Sequence, residues 1–524
     1  MNGPGGSRPA SRDFSHCAAN EDAYPTFRFG GETAQSVWRS PVVSGSILKA
    51  GRNCWRVERA GRASLVVDAA DYFRLARQAM LRAEKQILLI GWDFDTRICL
   101  DYDADDGAPA ELGAFLSWLP KNRPGLQIHI LKWDVGAIKL LGRGTTVLRL
   151  ARWAASNQIH FKLDGAHATG ASHHHKIAVI DDRLAFCGGI DMTADRWDTR
   201  GHLDDDEHRK RPTTRRRYHP WHDATMAVDG KVASALGEHA RERWRAAGAE
   251  PLKPPSTSGD PWPDELEPQF RDVDVSIART RGEYEEEECV REIETLYLDM
   301  IKSARRFIYA ENQYFASRKI AKAIADRLKG DDPPEVVIVN PHGADGWLED
   351  AVMSSARAEL MEHVRKCDLH GKFRLYFPVT EKREDIYVHS KITIIDDRIL
   401  RVGSANLNNR SMGLDSECDL AIDAALPANE GAEKAIVMLR TDLLSEHLGV
   451  SVDTIDSKLA KTGSLIRTIE SFSGSKGRGL VAFVPEEPGA VGQALAESEA
   501  LDPESAGETF EPMARPGLLA RLRA

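Results

Sequence analysis

The stretch HHHKIAVIDDRLAFCGGID at 173–191 matches VHSKITIIDDRILRVGSAN at 388–406 without a gap, at a constant offset of 215 residues. His174 falls on His389, Lys176 on Lys391, Asp181 on Asp396 and Gly188 on Gly403. A chain that writes the same pattern twice at this distance folds as two copies of one unit. The likeness extends outward. AEKQILLIGWDFD at 83–95 resembles SARRFIYAENQYF at 303–315, and DATMAVD at 223–229 resembles ECDLAID at 417–423. Each half is therefore read as a strand, a motif strand and a following strand opened by an acid.

Periodicity supplies the fold class. DYFRLARQAMLRAEK at 71–85 and CVREIETLYLDMIKSARR at 289–306 repeat like amphipathic helices, whereas QILLI, IAVI, EVVIV and ITII read as buried strands. The expectation is α/β: two similar α-β-α sandwich halves packed as an internal pseudo-dimer, with one active site at their interface. The dense prolines of PLKPPSTSGDPWPDELEP place a linker at 249–270 between an N-terminal half at 36–248 and a C-terminal half at 271–450. Residues 1–35 are expected to be disordered, and the extension 451–524 largely so.

Alternate strand residues share a face, so His174 and Lys176 point the same way, as do His389 and Lys391. Two imidazoles and two ammonium groups supply what phosphodiester cleavage needs: a nucleophile, an acid for the leaving oxygen, and positive charge for the phosphate oxygens. The lysines stand where other phosphoesterases place metal ions. Asp181 and Asp396 complete the catalytic motifs but end their strands at DDR turns, so their role is to brace the turn. Gly188, Gly189, Gly403 and Ser404 are read as small residues admitting close approach of a ligand, with Asn406 donating to a phosphate oxygen. Asp191 occupies the position of Asn406 and is expected to turn toward Arg196 or backbone. Each imidazole needs a partner on its second nitrogen. The matching acids suggest a crossed arrangement, Glu417 holding His174 and Asp223 holding His389.

These residues resemble the phospholipase D superfamily over roughly residues 60–450. Beyond the doubled HxKxxxxD, the stretches GGIDMTADRWDT, HPWHD at 219–223, IYAENQYF at 308–315 and GSANLNNRSMGLDSE at 403–417 look like the eukaryotic-type branch. The resemblance implies hydrolysis of a phosphatidylcholine-like glycerophospholipid to phosphatidic acid and a free head group through a phosphohistidine, with transfer to another alcohol as a side reaction. It further implies that His174 is the nucleophile and His389 the general acid. Recognisable PX, PH or C2 modules are missing from the sequence.

Several readings compete. A phosphatidyltransferase such as a cardiolipin synthase, a nuclease of the same fold and a noncatalytic scaffold are the alternatives. A net charge of -10 and the absence of aromatic stacking repeats disfavour nucleic acid as a partner. No run approaches a membrane span or a cleavable signal, so the expectation is a soluble monomer, cytoplasmic or exported by another route, touching phospholipid membranes peripherally. Seven scattered cysteines without a CxxC pair suggest reduced thiols. The run His173–His175 lacks a completing acid or cysteine nearby, so neither metal nor cofactor is expected, and His173 and His175 are read as packing residues at the site rim. The basic HRKRPTTRRRYH at 208–219 follows the acidic LDDDE, and is read either as a lipid-facing patch or as a self-compensating loop. Trp92, Phe94, Tyr314 and Phe315 are read either as pocket lining or as core.

Overall fold

The computed structural model describes residues 45–134, 145–343, 347–474, 476–484 and 502–503. The first half runs β1 (Arg56–Val67), α1 (Ala69–Leu81), β2 (Gln86–Gly91), α2 (Leu112–Asn122), β3 (Gln127–Trp133), α3 (Thr145–Ala154), β4 (Ile159–Asp164), β5 (Lys176–Ile180), β6 (Leu184–Gly188), β7 (Trp221–His222), β8 (Ala224–Asp229) and α4 (Gly230–Ala246). The second half runs β9 (Phe270–Arg281), β10 (Val290–Arg291), α5 (Glu292–Ser303), β11 (Phe307–Glu311), α6 (Arg318–Leu328), β12 (Glu335–Val339), α7 (Trp347–Cys367), β13 (Phe373–Val379), β14 (Tyr387–Val388), β15 (Ile392–Ile395), β16 (Ile399–Gly403), α8 (Asn409–Gly413), β17 (Glu417–Asp423) and α9 (Ala432–Leu448). Behind it follow α10 (Val452–Thr462), α11 (Leu465–Glu470) and β18 (Gly479–Ala482).

The strand order carries the internal symmetry. From the centre outward the first half reads β1, β8, β6, β5, β2, β3, β4, and the second reads β9, β17, β16, β15, β11, β12, β13. Every first-half strand thus has a counterpart at the same place. β1 and β9 join the halves as an antiparallel pair, with Arg56 opposite Ile277 and Ala63 opposite Phe270. In each half the motif strand lies antiparallel to its neighbours, β5 between β2 and β6, and β15 between β11 and β16. Their IAVI and ITII runs are buried throughout, as strands covered on both faces require.

Three apolar clusters follow from this layering. One contains Phe73, Phe115 and Ile130 on the outer face of the first half, and a second contains Leu296, Ile324 and Val364 on the outer face of the second. The third takes Ile177 and Val179 from the first motif strand together with Ile392 and Ile394 from the other, so the halves share it. No helix among the described residues is long and apolar enough to cross a membrane.

Two boundary expectations change. Residues 249–269 hold no helix or strand, yet they are strapped to the first half: Trp262 is buried, Arg82 donates to its carbonyl at 2.6 Å, and Gln269 accepts from the Leu65 amide at 2.7 Å. The extension from 451 is not largely disordered over its first part. Ser451 and Ser464 cap α10 and α11, Gly463 ends α10 at φ 61, and Ile455, Ile469 and Leu480 are buried in the shared core. β18 then pairs with β13 at the sheet edge. The charged composition of the segment hid a narrow apolar stripe. The expectation for residues 1–35 lies outside the described residues.

Candidate active site

The halves meet at their motifs by backbone pairing. The amides of His174 and His175 both donate to the Ser416 carbonyl, at 2.9 and 3.0 Å. In the other half the His389 amide donates to the His222 carbonyl at 2.7 Å, within the short parallel pair of β7 and β14. Each motif histidine is thereby set beside the acid of the opposite half. His174 Nδ1 lies 3.1 Å from both carboxylate oxygens of Glu417, and His389 Nδ1 lies 2.7 Å from Asp223 Oδ2. This is the crossed arrangement that the repeat suggested. With Nδ1 engaged on each ring, Nε2 is the nitrogen left for chemistry, and the ring centroids stand 6.5 Å apart.

The lysines share those faces. Lys176 Nζ donates to the His174 carbonyl at 2.6 Å and lies 3.1 Å from Asp191 Oδ2. Lys391 Nζ donates to the His389 carbonyl and lies 3.4 Å from Gln313 Oε1. Burial pushes Lys391 down to about 7 against the attraction of Asp223. Burial likewise raises Glu417 to about 8, against hydrogen bonds from Ser404 and Ser411, and raises Asp223 to about 7. Both imidazoles are held well below their ordinary range, by burial first and then by the neighbouring lysines. The neutral ring is the form in which His174 can attack phosphorus.

Asp181 and Asp396 do not enter the cleft. Asp181 accepts the amides of Glu84, Lys85 and Gln86 at 2.6, 2.8 and 2.7 Å. Asp396 accepts those of Arg305, Arg306 and Phe307 at 2.6, 2.7 and 2.9 Å. Each carboxylate holds the entry to the adjacent strand, from a turn with φ of 55 and 53.

The glycines depart from expectation. A Cβ on Gly189 would stand 2.1 Å from Asp223 Oδ1, and one on Gly403 would collide with Asp419. Their small size makes room for the carboxylates of the neighbouring strands rather than for a ligand. Ser404 donates to Glu417 Oε2 at 2.5 Å, so it orients the acid. Asn406 is buried with its amide nitrogen of the backbone on Ser411 Oγ, and its side-chain oxygen has no hydrogen-bond partner. Asp191 turns to the Trp92 and Asp93 amides as expected, at 2.9 and 3.2 Å, but its second oxygen meets Lys176 and not Arg196. Arg196 instead lies over the Trp221 ring, 4.2 Å from its centroid.

The remaining candidates resolve similarly. His173 and His175 are buried packing groups rather than rim residues; His173 Nδ1 meets Ser416 Oγ at 3.0 Å. The basic loop compensates itself in large part, with Arg217 on Asp205 and Glu207, Lys210 on Glu207 and Arg209 buried on Asp198. Phe94 and Phe315 are core, while Trp92 stacks on Trp133 at 5.8 Å. Sequence reasoning missed Gln313 beside Lys391 and Ser411 on Glu417 Oε1 at 2.6 Å. The IYAENQYF and GSANLNNRSMGLDSE stretches contained both, but no spacing rule pointed from them to the motif.

The family model for phospholipase D matches residues 79–323 and 363–475, which span both motifs and both acids. The chain belongs to the phospholipase D family. Among curated members it is 25% identical over 483 residues to phospholipase D A of Dictyostelium discoideum, covering 74% of this chain and 35% of that protein. It is 26% identical over 517 residues to phospholipase D alpha 1 of Carica papaya, covering 72% and 63%, and 26% identical over 529 residues to phospholipase D1 of Saccharomyces cerevisiae, covering 80% and 30%. The chain thus spans between about a third and under two thirds of the length of these family members. A solved phosphatidylserine synthase from Haemophilus influenzae Rd KW20 superposes with a TM-score of 0.48 at 15% identity, covering 72% of this chain and 86% of that one. The chain is an enzyme of the phospholipase D superfamily.

Proposed function

We propose that this phospholipase D family enzyme hydrolyses a phosphatidylcholine-like glycerophospholipid to phosphatidic acid and a free head group. One observation carries the reading: two imidazoles from opposite halves, each held at Nδ1 by a carboxylate, face one another over a gap that one phosphodiester group can span. His174 Nε2 attacks phosphorus, and the bond to the head-group oxygen breaks with its electron pair. His389, which takes up a proton at Nε2 as the phosphodiester anion binds beside it, gives that proton to the departing oxygen and returns to the neutral base. A water then loses its proton to His389 and attacks the phosphohistidine, releasing phosphatidic acid and restoring both rings. Lys176 and Lys391 balance the charge of the phosphate oxygens, and Glu417 and Asp223 stabilise each imidazolium as it forms. Another alcohol in place of water gives head-group transfer.

The lipid lies at a membrane surface that the protein visits from one side. The test is incubation of purified protein and its His174→Ala variant with phosphatidylcholine vesicles, cardiolipin vesicles and plasmid DNA. Choline release by the wild type alone is the expected result. Turnover of cardiolipin or cleavage of DNA without choline release would overturn the substrate assignment.

A further inference from the structure

Ser390 points away from the cleft, opposite in strand direction to His389 and Lys391, and donates to Glu311 Oε2 at 2.7 Å. Behind it lies a buried group of acids and imidazoles that the reaction above does not use. His202 Nε2 stands 3.1 Å from Glu446 Oε1 and 3.5 Å from Asp68 Oδ2. His222 Nδ1 stands 2.9 Å from the same Glu446 oxygen and 3.3 Å from Asp68 Oδ1. All four side chains are buried, and their ligand atoms lie within 4.8 Å of one another.

We propose that Asp68, His202, His222 and Glu446 form a closed binding site for one zinc-type divalent cation. A tetrahedral zinc with bonds of about 2.0–2.1 Å sets its ligand atoms about 3.3–3.4 Å apart; the four imidazole-to-carboxylate separations run from 2.9 to 3.5 Å, with Asp68 turning Oδ2 to His202 and Oδ1 to His222. The outer contacts fit as well. His202 Nδ1 meets Asp198 Oδ2 at 3.0 Å, and His222 Nε2 meets Glu311 Oε2 at 2.8 Å. Each imidazole therefore has a carboxylate on its far nitrogen, the arrangement that fixes the tautomer of a metal-bound histidine.

The alternative occupant of this space is a pair of protons. Burial opposes charge on His202, but Asp68 and Asp198 outweigh it and raise the ring to about 9; Glu311 and Glu446 likewise outweigh burial and hold His222 well above its usual range. Two imidazoliums carry the same total charge as one divalent cation between two neutral rings. Directionality separates the cases. His202 Nε2 does hydrogen-bond Glu446 Oε1, but His222 Nδ1 is aligned with neither carboxylate oxygen beside it, at 2.9 and 3.3 Å, and Asp68 Oδ2 accepts no hydrogen bond. A cation requires no such alignment and uses both atoms as they stand.

The cation joins the end of β1, the loop at 202, β7 and α9, and so ties parts of both halves together. It also supports the reaction centre. Asp68 Oδ1 accepts the Asp223 amide at 3.1 Å, and the His222 carbonyl holds the His389 amide. His222 and Asp68 are thus positioning residues. Four protein donors leave no open place for substrate, which marks the site as structural.

Metal content of the full chain, purified without chelator and measured by elemental mass spectrometry, tests the site without reference to lipid turnover. About one zinc per chain is expected, with a fall in melting temperature on dipicolinate treatment that added zinc reverses. Cobalt should replace it and give the visible absorption of a tetrahedral centre. Glu446→Gln, which keeps the shape and loses the charge, should weaken zinc at least about 10-fold. Less than a tenth of an equivalent after dialysis against zinc, with no change in melting temperature, would overturn the proposal. So would zinc retained undiminished in both Glu446→Gln and His202→Gln, since it would then sit elsewhere.

Discussion

Glu417 reaches His174 across the seam between the halves, both of its oxygens 3.1 Å from Nδ1, although 243 residues separate them. Two backbone hydrogen bonds to the Ser416 carbonyl place the histidine there, so the pairing depends on main chain rather than on side-chain choice. The same construction sets His389 on Asp223. Neither half holds a complete imidazole and acid pair by itself, and the contact between halves is therefore also the assembly of the reaction centre.

Removing each imidazole has a distinct consequence. His174→Ala should abolish turnover, and His389→Ala should lower kcat on choline lipids by about 10³-fold. With a p-nitrophenyl phosphodiester, whose leaving group needs no proton, His389→Ala should still release a burst of one p-nitrophenolate per chain. Absence of that burst in rapid-mixing measurements would contradict the assignment of acid and nucleophile.

Glu417→Gln should lower kcat by about 10²-fold with little change in KM, because an amide cannot give up a proton to become the anion that stabilises the imidazolium. Its effect on stability runs the other way. The Glu417 carboxyl is raised from 4.5 to about 8 in the fold, so the native state binds this proton more tightly than the unfolded chain does. The stability it contributes is fully present below about 4.5 and is lost as the pH climbs through about 8. Glutamine removes that loss. Relative to wild type, Glu417→Gln should gain up to about 4 kcal/mol between pH 5 and pH 9, read from urea unfolding at both.

Asp181→Ala and Asp396→Ala should each cost about 2–4 kcal/mol, since three backbone amides lose their acceptor in either case. The folded fraction should retain kcat within a few fold. A kcat loss as deep as that of His174→Ala at unchanged stability would instead put these acids in the chemistry.

Gly189→Ala should lower kcat by about 10²-fold, because the added methyl would displace the Asp223 carboxylate from His389. The measurement is kcat beside the shift of the His389 ring resonances in the titrated protein. An unchanged pH profile with full activity would show that the strand yields without moving Asp223.

The sequence by itself determined the duplicated α/β unit, the four motif side chains and the acid that follows each motif. Gapless repetition and strand alternation are local properties, and they survive without knowledge of neighbours. Even the crossing of Glu417 and Asp223 could be read, because a twofold relation exchanges what each half lacks. Only the tertiary structure decided the rest. Asp191 pairs with Lys176, Gly189 makes room for Asp223, and Gln313 stands beside Lys391, each through strand neighbours distant in sequence. The order of 452–482 rests on a few apolar side chains such as Ile455 and Ile469, which a charged stretch conceals until the core they enter is known. The cluster of Asp68, His202, His222 and Glu446 has no spacing signature at all, because four separate elements deliver its atoms to one point.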